Sequence, residues 1–287
     1  MTAYLENKTW ASEQDLLADW EHDRLRHPFF VEGLDEKRIN ENWERSSKNY
    51  KGIEYASIRD EIAKDLISDG ILGPESEVLD IGCGPGLYDI LFSPSVRSVH
   101  CTDASPGMIE RLKAECARLR ISNVSGETVS WEDMKPSEPY DVVFSSLCPA
   151  LNDPASILRM ECFSGGWCVY VSSADPVPWM PLEVWSRLGL DCSFCGYDTH
   201  YPYEFLRMRG RSPKMKFYSS RTETVQTREE ALGSLLRYMA NYRTVTPELE
   251  RIAGDVVDSH VSGGKVKQCR RLTLGMLVWH IPQLRQS

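Results

Sequence analysis

The chain has 287 residues, 41% of them hydrophobic and 26% charged, and a formal net charge of −9. That length carries one α/β core of roughly 200 residues plus a cap, and the composition excludes a disordered or fibrous protein. No apolar run approaches the ~18 residues that span a bilayer, and the first twenty positions hold Glu6, Glu13, Asp15 and Asp19 where a leader would be basic and then apolar, so a cytoplasmic protein is expected.

In chain order, Ser12 to Arg26 reads as a helix, with Ser12 and Asp15 placed as a capping box and Leu16, Leu17 and Trp20 on one side. A second helix follows near 36–49. A third, near 55–68, sets Ile58, Ile62 and Leu66 at i, i+4 and i+8 for packing on a sheet. Residues 1–57 are therefore expected to form a helical lid or cap, ahead of a main domain over 58–287. Strands are expected near 77–81, 96–101, 124–129, 140–146 and 166–172, separated by helices near 86–92, 106–119 and 154–161. Such alternation predicts a parallel sheet with helices on both faces. Beyond Ser173 the pattern loosens into a short helix at 203–209, a strand at 214–219 and a last strand at 271–280. Two insertions remain, about 174–199 and 227–262. Thr227 with Glu230, and Thr246 with Pro247, mark helix starts in the second.

The most informative run is Val78-Leu-Asp-Ile-Gly-Cys-Gly-Pro-Gly86. Its apolar residues suit a strand buried on both faces, and its three alternate glycines remove side chains where a ligand must approach backbone. Asp80 stands at the carboxyl end of that strand, where open α/β sheets bind ligands. A nicotinamide or flavin fingerprint needs a third glycine three residues after the second; position 87 is Leu87. Seventeen positions after Gly86, Asp103 ends the second strand. An acid there can accept both ribose hydroxyls of an adenosine or cap the helix that opens at Pro106, for which Ser105 is the better cap. Met108 in the first turn suits either an adenine contact or the core.

These residues resemble the cofactor site of the class I S-adenosylmethionine-dependent methyltransferases, closely over 40–173 and loosely over 200–280. The resemblance implies an α/β, Rossmann-like fold: a seven-stranded, mostly parallel sheet with helices on both faces and a helical cap. It also implies S-adenosylmethionine as cofactor, S-adenosylhomocysteine as product, and a cofactor site at Tyr50, Asp80, Gly82, Cys83, Gly84, Gly86, Asp103, Ala104, Met108, Trp131, Glu132 and Ser145. At the third strand the chain departs from a common pattern: Ser130 stands where an acid is frequent, leaving Glu132, Asp133 or backbone to meet the adenine amino group. Trp43 to Tyr50 is similar to the aromatic segment that closes over the cofactor in small-molecule members, although Trp43 also suits plain helix packing.

Methyl transfer from a sulfonium is an in-line displacement that rests largely on positioning, with a base needed only when the acceptor must lose a proton. Candidates for that role or for the acceptor wall are Cys148, His200 and Tyr203, with Trp179, Trp185 and Tyr88 as apolar lining. The run Ser145 to Leu151 lacks the Asn-Pro-Pro-aromatic signature that binds planar amino groups. A small-molecule acceptor is therefore expected, with no membrane and no nucleic acid as partner. Two alternatives stay open: an RNA or protein methyltransferase using the basic cluster Arg207, Arg209, Arg211, Lys214, Lys216 and Arg221, and a non-catalytic cofactor-binding scaffold or sensor. Nine scattered cysteines do not form a disulfide framework, and the single Cys192/Cys195 pair reads as buried thiols, so no metal is assigned.

Overall fold

Strand β1 (Glu77–Ile81) is the centre of the molecule, paired in parallel with β2 (Ser98–Asp103) on one side and β4 (Tyr140–Ser146) on the other. Its Val78, Leu79 and Ile81 are buried on both faces, as a central parallel strand requires. The computed structural model describes residues 8–48, 50, 52, 55–136, 138–174, 178–192 and 199–281. Beyond β2 lies β3 (Val124–Thr128), and beyond β4 lies β5 (Ser164–Ser173). The antiparallel β8 (Lys265–His280) and β6 (Lys214–Thr227) complete the order β3-β2-β1-β4-β5-β8-β6. The sheet has eight strands among the described residues, one more than expected, because the two-residue β7 (Val261–Ser262) also pairs with β8.

Helix α4 (Ala56–Ser68) lays Ile58, Ile62 and Leu66 on one face of the sheet. The same face receives α5 (Asp89–Phe92) and α6 (Pro106–Leu119). The other face carries α1 (Glu13–Arg24), α7 (Pro154–Met160) and α9 (His200–Met208). Leu16 and Trp20 of α1 belong to the same buried cluster as Leu79 and Trp279, so the first helix is part of the core. A buried network fastens it: Tyr201 donates to Asp23, which also pairs with Lys8 and Arg26. A third cluster joins α8 (Trp179–Arg187), α10 (Arg228–Met239) and α11 (Pro247–Ser259). Thr227 and Glu230 form a capping box at α10, and Thr246 caps α11 with Pro247 in its first turn.

Several elements run differently from the expected bounds. The helix expected from 86 begins only at Asp89, because Gly84 and Gly86 hold positive φ and the chain turns between them. Strands β6 and β8 extend past the expected 214–219 and 271–280 as a two-stranded ribbon paired from Lys214↔Val278 to Thr227↔Lys265. Its outer half is polar and exposed, so no apolar alternation marks it; ladder hydrogen bonds and β-branched Thr222, Thr224 and Val225 sustain it. Cys192 is buried, whereas Cys195 and parts of the first insertion, 175–177 and 193–198, lie outside the described residues.

The short α2 (Pro28–Val31) is capped by His27, whose Nδ1 accepts from the Phe29 N–H at 3.2 Å. The ring is buried against Phe29 and Tyr242, and burial lowers its pKa from 6.5 to about 3. The folded protein therefore keeps His27 neutral while the unfolded chain takes up a proton below its ordinary pKa, so the stability it contributes above pH 6.5 is lost as pH falls toward 3. Against a His27→Asn variant, which preserves the cap, the wild type should lose about 1 kcal/mol of unfolding free energy between roughly pH 6.5 and 5.5 in urea titrations. Parallel pH curves for the two proteins would contradict this assignment.

Candidate active site

The carboxyl ends of β1, β2 and β4 open into a cavity of about 1110 Å³. That exceeds the ~300–1,000 Å³ of a pocket for a single small ligand, so two molecules can sit together. The glycine loop forms one wall. Gly84 has φ +56° and open space where a Cβ would project, so its backbone is bared to the cavity. Gly86 serves a different purpose: a Cβ there would lie 2.0 Å from Leu112 Cδ1, in the core, and the residue does not line the cavity. Its role is close packing of the loop on α6.

Asp103 ends β2 and joins loop to helix. Its Oδ2 accepts from Gly84 N–H at 2.9 Å and its Oδ1 from Ser105 N–H at 2.8 Å. Ser105 itself caps α6 by accepting from Met108 N–H, and Pro106 opens the helix. Each Asp103 oxygen thus keeps further acceptor capacity toward the cavity. Burial raises its pKa, and the two N–H bonds oppose that shift. Ala104, Met108, Trp131 and Glu132 line the same end. Arg159 lies over the Trp131 ring at 4.3 Å and donates to the carbonyls of Trp131 and Met134, fixing the turn after β3.

At the other end of the loop stand Asp80, Cys83 and, from the N-terminal segment, Tyr50. Tyr50 meets Trp43 edge-on, with ring centroids 6.2 Å apart. Arg59 of α4, which the sequence reading overlooked, also lines this region and donates to the Gly52 carbonyl. Its position on an amphipathic stripe concealed it, since a lone helix arginine carries no local signal.

Ser145 does not reach the cavity: it is fully buried and donates to the Ile81 carbonyl at 2.8 Å, so the pleat turns its neighbour Ser146 outward instead. Cys148 does line the wall, seated over Gly82, where an added Cβ would be 2.4 Å from its Sγ. Burial pushes its pKa up to about 12, so it stays a thiol at neutral pH and packs the turn. Leu147, just before it, is held at φ +52° with its N–H bonded to Val171 O. A bulky residue in that region is strained, and Leu147 lines the cavity.

His200 and Tyr203 do not line the cavity. They sit on α9, which packs on α1 and α7 at the other face of the sheet; His200 stacks on Phe217 and Tyr203 lies under Arg207. Trp185 is buried in the α8–α10–α11 cluster. Trp179 and Tyr88 do line the cavity. The roof comes instead from Phe29 and Phe30 of α2, Trp43 of α3 (Glu36–Ser47), and Tyr238 and Tyr242 at the end of α10. Helix α3 is held there by Glu44, whose Oε2 accepts from Ser105 Oγ at 2.5 Å and Gly107 N–H at 2.9 Å. Those bonds, the serine's first, hold the Glu44 pKa below the ordinary value.

Residues 78–160 match a family described as a methyltransferase domain. The chain is 30% identical over 117 residues to malonyl-[acyl-carrier protein] O-methyltransferase 1 of Ilyobacter polytropus, covering 39% of this chain and 42% of that protein. It is 31% identical over 116 residues to aklanonic acid methyltransferase DauC of a Streptomyces species, covering 38% and 51%. The YcgJ protein of Bacillus subtilis shares the fold, with a TM-score of 0.53 over 76% of this chain and 97% of that one, at 14% identity. The matched segment spans less than half the length of the first of these relatives. With its strand order and glycine loop around the matched segment 78–160, the chain is similar to the class I S-adenosylmethionine-dependent methyltransferases.

The two loop glycines should separate on mutation. Gly84→Val should leave a folded protein, costing about 1–2 kcal/mol for the left-handed backbone, while abolishing S-adenosylhomocysteine binding in calorimetry. Gly86→Ala should cost about 2–4 kcal/mol in urea unfolding through its overlap with Leu112. Unchanged affinity in Gly84→Val would show that no ligand passes over the loop there.

Proposed function

We propose that this protein transfers the methyl group of S-adenosylmethionine to a small-molecule acceptor held under its aromatic roof. The observation that carries the reading is a single cavity in which the bared Gly84 backbone and the Asp103 carboxylate share one chamber with the Phe29, Phe30, Trp43 and Tyr242 roof. The residues suit the cofactor. Asp103 has acceptor capacity for two ribose hydroxyls, Met108 and Trp131 offer apolar surface for an adenine, and Asp80, with Oδ1 unpartnered, faces the amino-acid end together with Tyr50. Arg59 supplies a guanidinium for a carboxylate at that end.

When bound, S-adenosylmethionine supplies an electrophilic methyl on a sulfonium. The protein's part is then to hold the acceptor in line and exclude water. Helices α2 and α3 act as the lid, clamped over the cofactor end by Glu44. Protonated Cys148 gives the wall shape rather than a base. The neutral His27, its Nδ1 engaged by the Phe29 N–H, lines the acceptor side without charge. The acceptors named for the two relatives, malonyl-[acyl-carrier protein] and aklanonic acid, differ from each other. The aromatic lining therefore guides the acceptor reading: a molecule with a flat or apolar body.

The macromolecular alternative rested on the basic cluster, and most of that cluster is spent on ion pairs. Arg207 pairs with Glu204, Arg209 with Glu13, Arg211 with Glu161, Lys216 with Asp65 and Arg221 with Glu223. Arg207 and Arg209 stand at the end of α9 and Lys216 and Arg221 on β6, each with a carboxylate beside it, which lowers the net positive charge a phosphate backbone would meet.

Calorimetry should show binding of S-adenosylmethionine and S-adenosylhomocysteine and none of NAD. Asp103→Ala should weaken that binding by about 1.5–3 kcal/mol through lost charge-assisted bonds. Labelled S-adenosylmethionine incubated with a small-molecule extract should yield a labelled low-mass product. Label appearing only in RNA or protein would overturn the acceptor class, and binding without any transfer would make the protein a sensor.

A further inference from the structure

A pair of buried acids flanks the glycine loop in sequence, Asp80 before it and Asp89 after it. Asp80 at the end of β1 is buried but borders the cavity, whereas Asp89, the first residue of α5, is fully buried and does not border it. Among the described residues no N–H or hydroxyl of another residue donates to Asp89, whose own backbone N–H and the Cys101 thiol are its donors, and Asp80 Oδ1 receives none. The Asp80 and Asp89 carboxyls share a hydrogen bond, and the thiols of Cys83 and Cys101 lie beside Asp89, their sulfur atoms and an Asp89 oxygen all within 4.8 Å of one another.

Among the described residues no cation pairs with either acid. Asp80 faces Asp89 and Asp103, and the Asp89 carboxyl acts on Cys83 and Cys101 and on Cys116 of α6. Tyr88, just ahead of α5, feels Asp80 on one side and Arg59 on the other. The groups acting most strongly on either acid carry no positive charge. Two ionised carboxylates cannot persist side by side in such a place, so at neutral pH the pair carries one proton and one negative charge.

We propose that Asp89 is a positioning residue for the cofactor: in the empty site Asp80 carries the proton of the Asp80–Asp89 pair, and Asp89 takes it over when a cationic group enters the cavity, so that Asp80 presents its negative charge to that group. The inference rests on the S-adenosylmethionine reading, since the cation it invokes is the ammonium of that molecule's amino-acid end. An entering cation reaches only Asp80, because Asp89 is sealed off; charge is drawn to Asp80, and the Asp89 O–H donates to it. The proton stays within the pair, and no other acid or base is consumed.

The pair also sets a pH limit. Burial raises Asp89 to about 6, opposed by its bonds with Cys101, Asp80 and its own backbone N–H, while burial and then the Asp89 charge hold Asp80 well above the carboxylate range. Below about pH 6 the empty pair takes a second proton, which must leave to the solvent when the cofactor enters. Affinity therefore falls as pH drops through that value. In Asp89→Asn the amide can still donate to Asp80, but Asp80 no longer shares its site with a second acid, so its own pKa falls and the pH limit moves lower.

The test is calorimetric binding of S-adenosylhomocysteine to the full chain at pH 7.5 and pH 5, with folding followed by circular dichroism. Wild type should bind about tenfold more weakly at the lower pH, one unit below the pair's titration. Asp89→Asn should stay within about threefold of wild type at pH 7.5, roughly 0.6 kcal/mol, and lose less than threefold on acidification. Asp103 titrates in both proteins, so its contribution cancels in the comparison. Repeating the wild-type titration at pH 5 in two buffers of different ionisation enthalpy should show release of close to one proton, and this arm decides the matter if Asp89→Asn does not fold. Identical pH profiles, absence of proton release, or a stoichiometric metal ion retained by purified wild type and lost in Cys101→Ser would each overturn the proposal. Failure to bind at pH 7.5 would overturn the cofactor reading itself.

Discussion

One carboxylate ties the site together. Asp103 accepts from the Gly84 N–H of the loop after β1 and from the Ser105 N–H at the start of α6. The glycine loop is thereby fixed to the junction of β2 and α6 with charge-assisted bonds, each stronger than a neutral one. The loop can then leave its Gly84 N–Cα bared to the cavity without collapsing into it. The same carboxylate sits at the cavity surface, and because backbone donors occupy a single direction at each oxygen it keeps acceptor capacity toward the cavity.

From that junction the lid follows. Ser105 offers its hydroxyl to Glu44, and Gly107 its N–H, so α3 docks on the free N-terminus of α6, where the helix dipole favours a carboxylate. Trp43 and Tyr50, which flank Glu44 in sequence, are brought to the cavity by this docking. Helix α2 follows with Phe29 and Phe30, its own start capped by the neutral His27. The roof is thus built mainly from the N-terminal segment and from Tyr238 and Tyr242, residues far in sequence from the glycine loop.

Much of the sheet was legible because local chemistry marks it. Ser105 with Pro106 announces α6, the Val142–Phe144 run announces β4, and Thr227 with Glu230 announces α10, each within a residue or two of the observed element. What escaped has a common cause: it depends on contacts between distant segments. Nothing near Glu44 signals its bond to Ser105, and nothing near Leu147 signals a left-handed backbone enforced by Val171. His200 and Tyr203 were expected beside the acceptor because they adjoin an insertion, yet adjacency in sequence does not say which face of a sheet a helix will cover. Ser145 and Ser146 show the same limit at finer scale, since a one-residue change of register exchanges core for cavity.

The most direct test of this account is a crystal structure with S-adenosylhomocysteine bound. The account predicts the ribose hydroxyls on Asp103, the adenine between Met108 and Trp131, and the amino-acid end against Asp80 and Tyr50, with space left beneath Phe29, Phe30 and Trp43. A ligand bound away from the Gly84 loop, or one whose ribose does not touch Asp103, would contradict it.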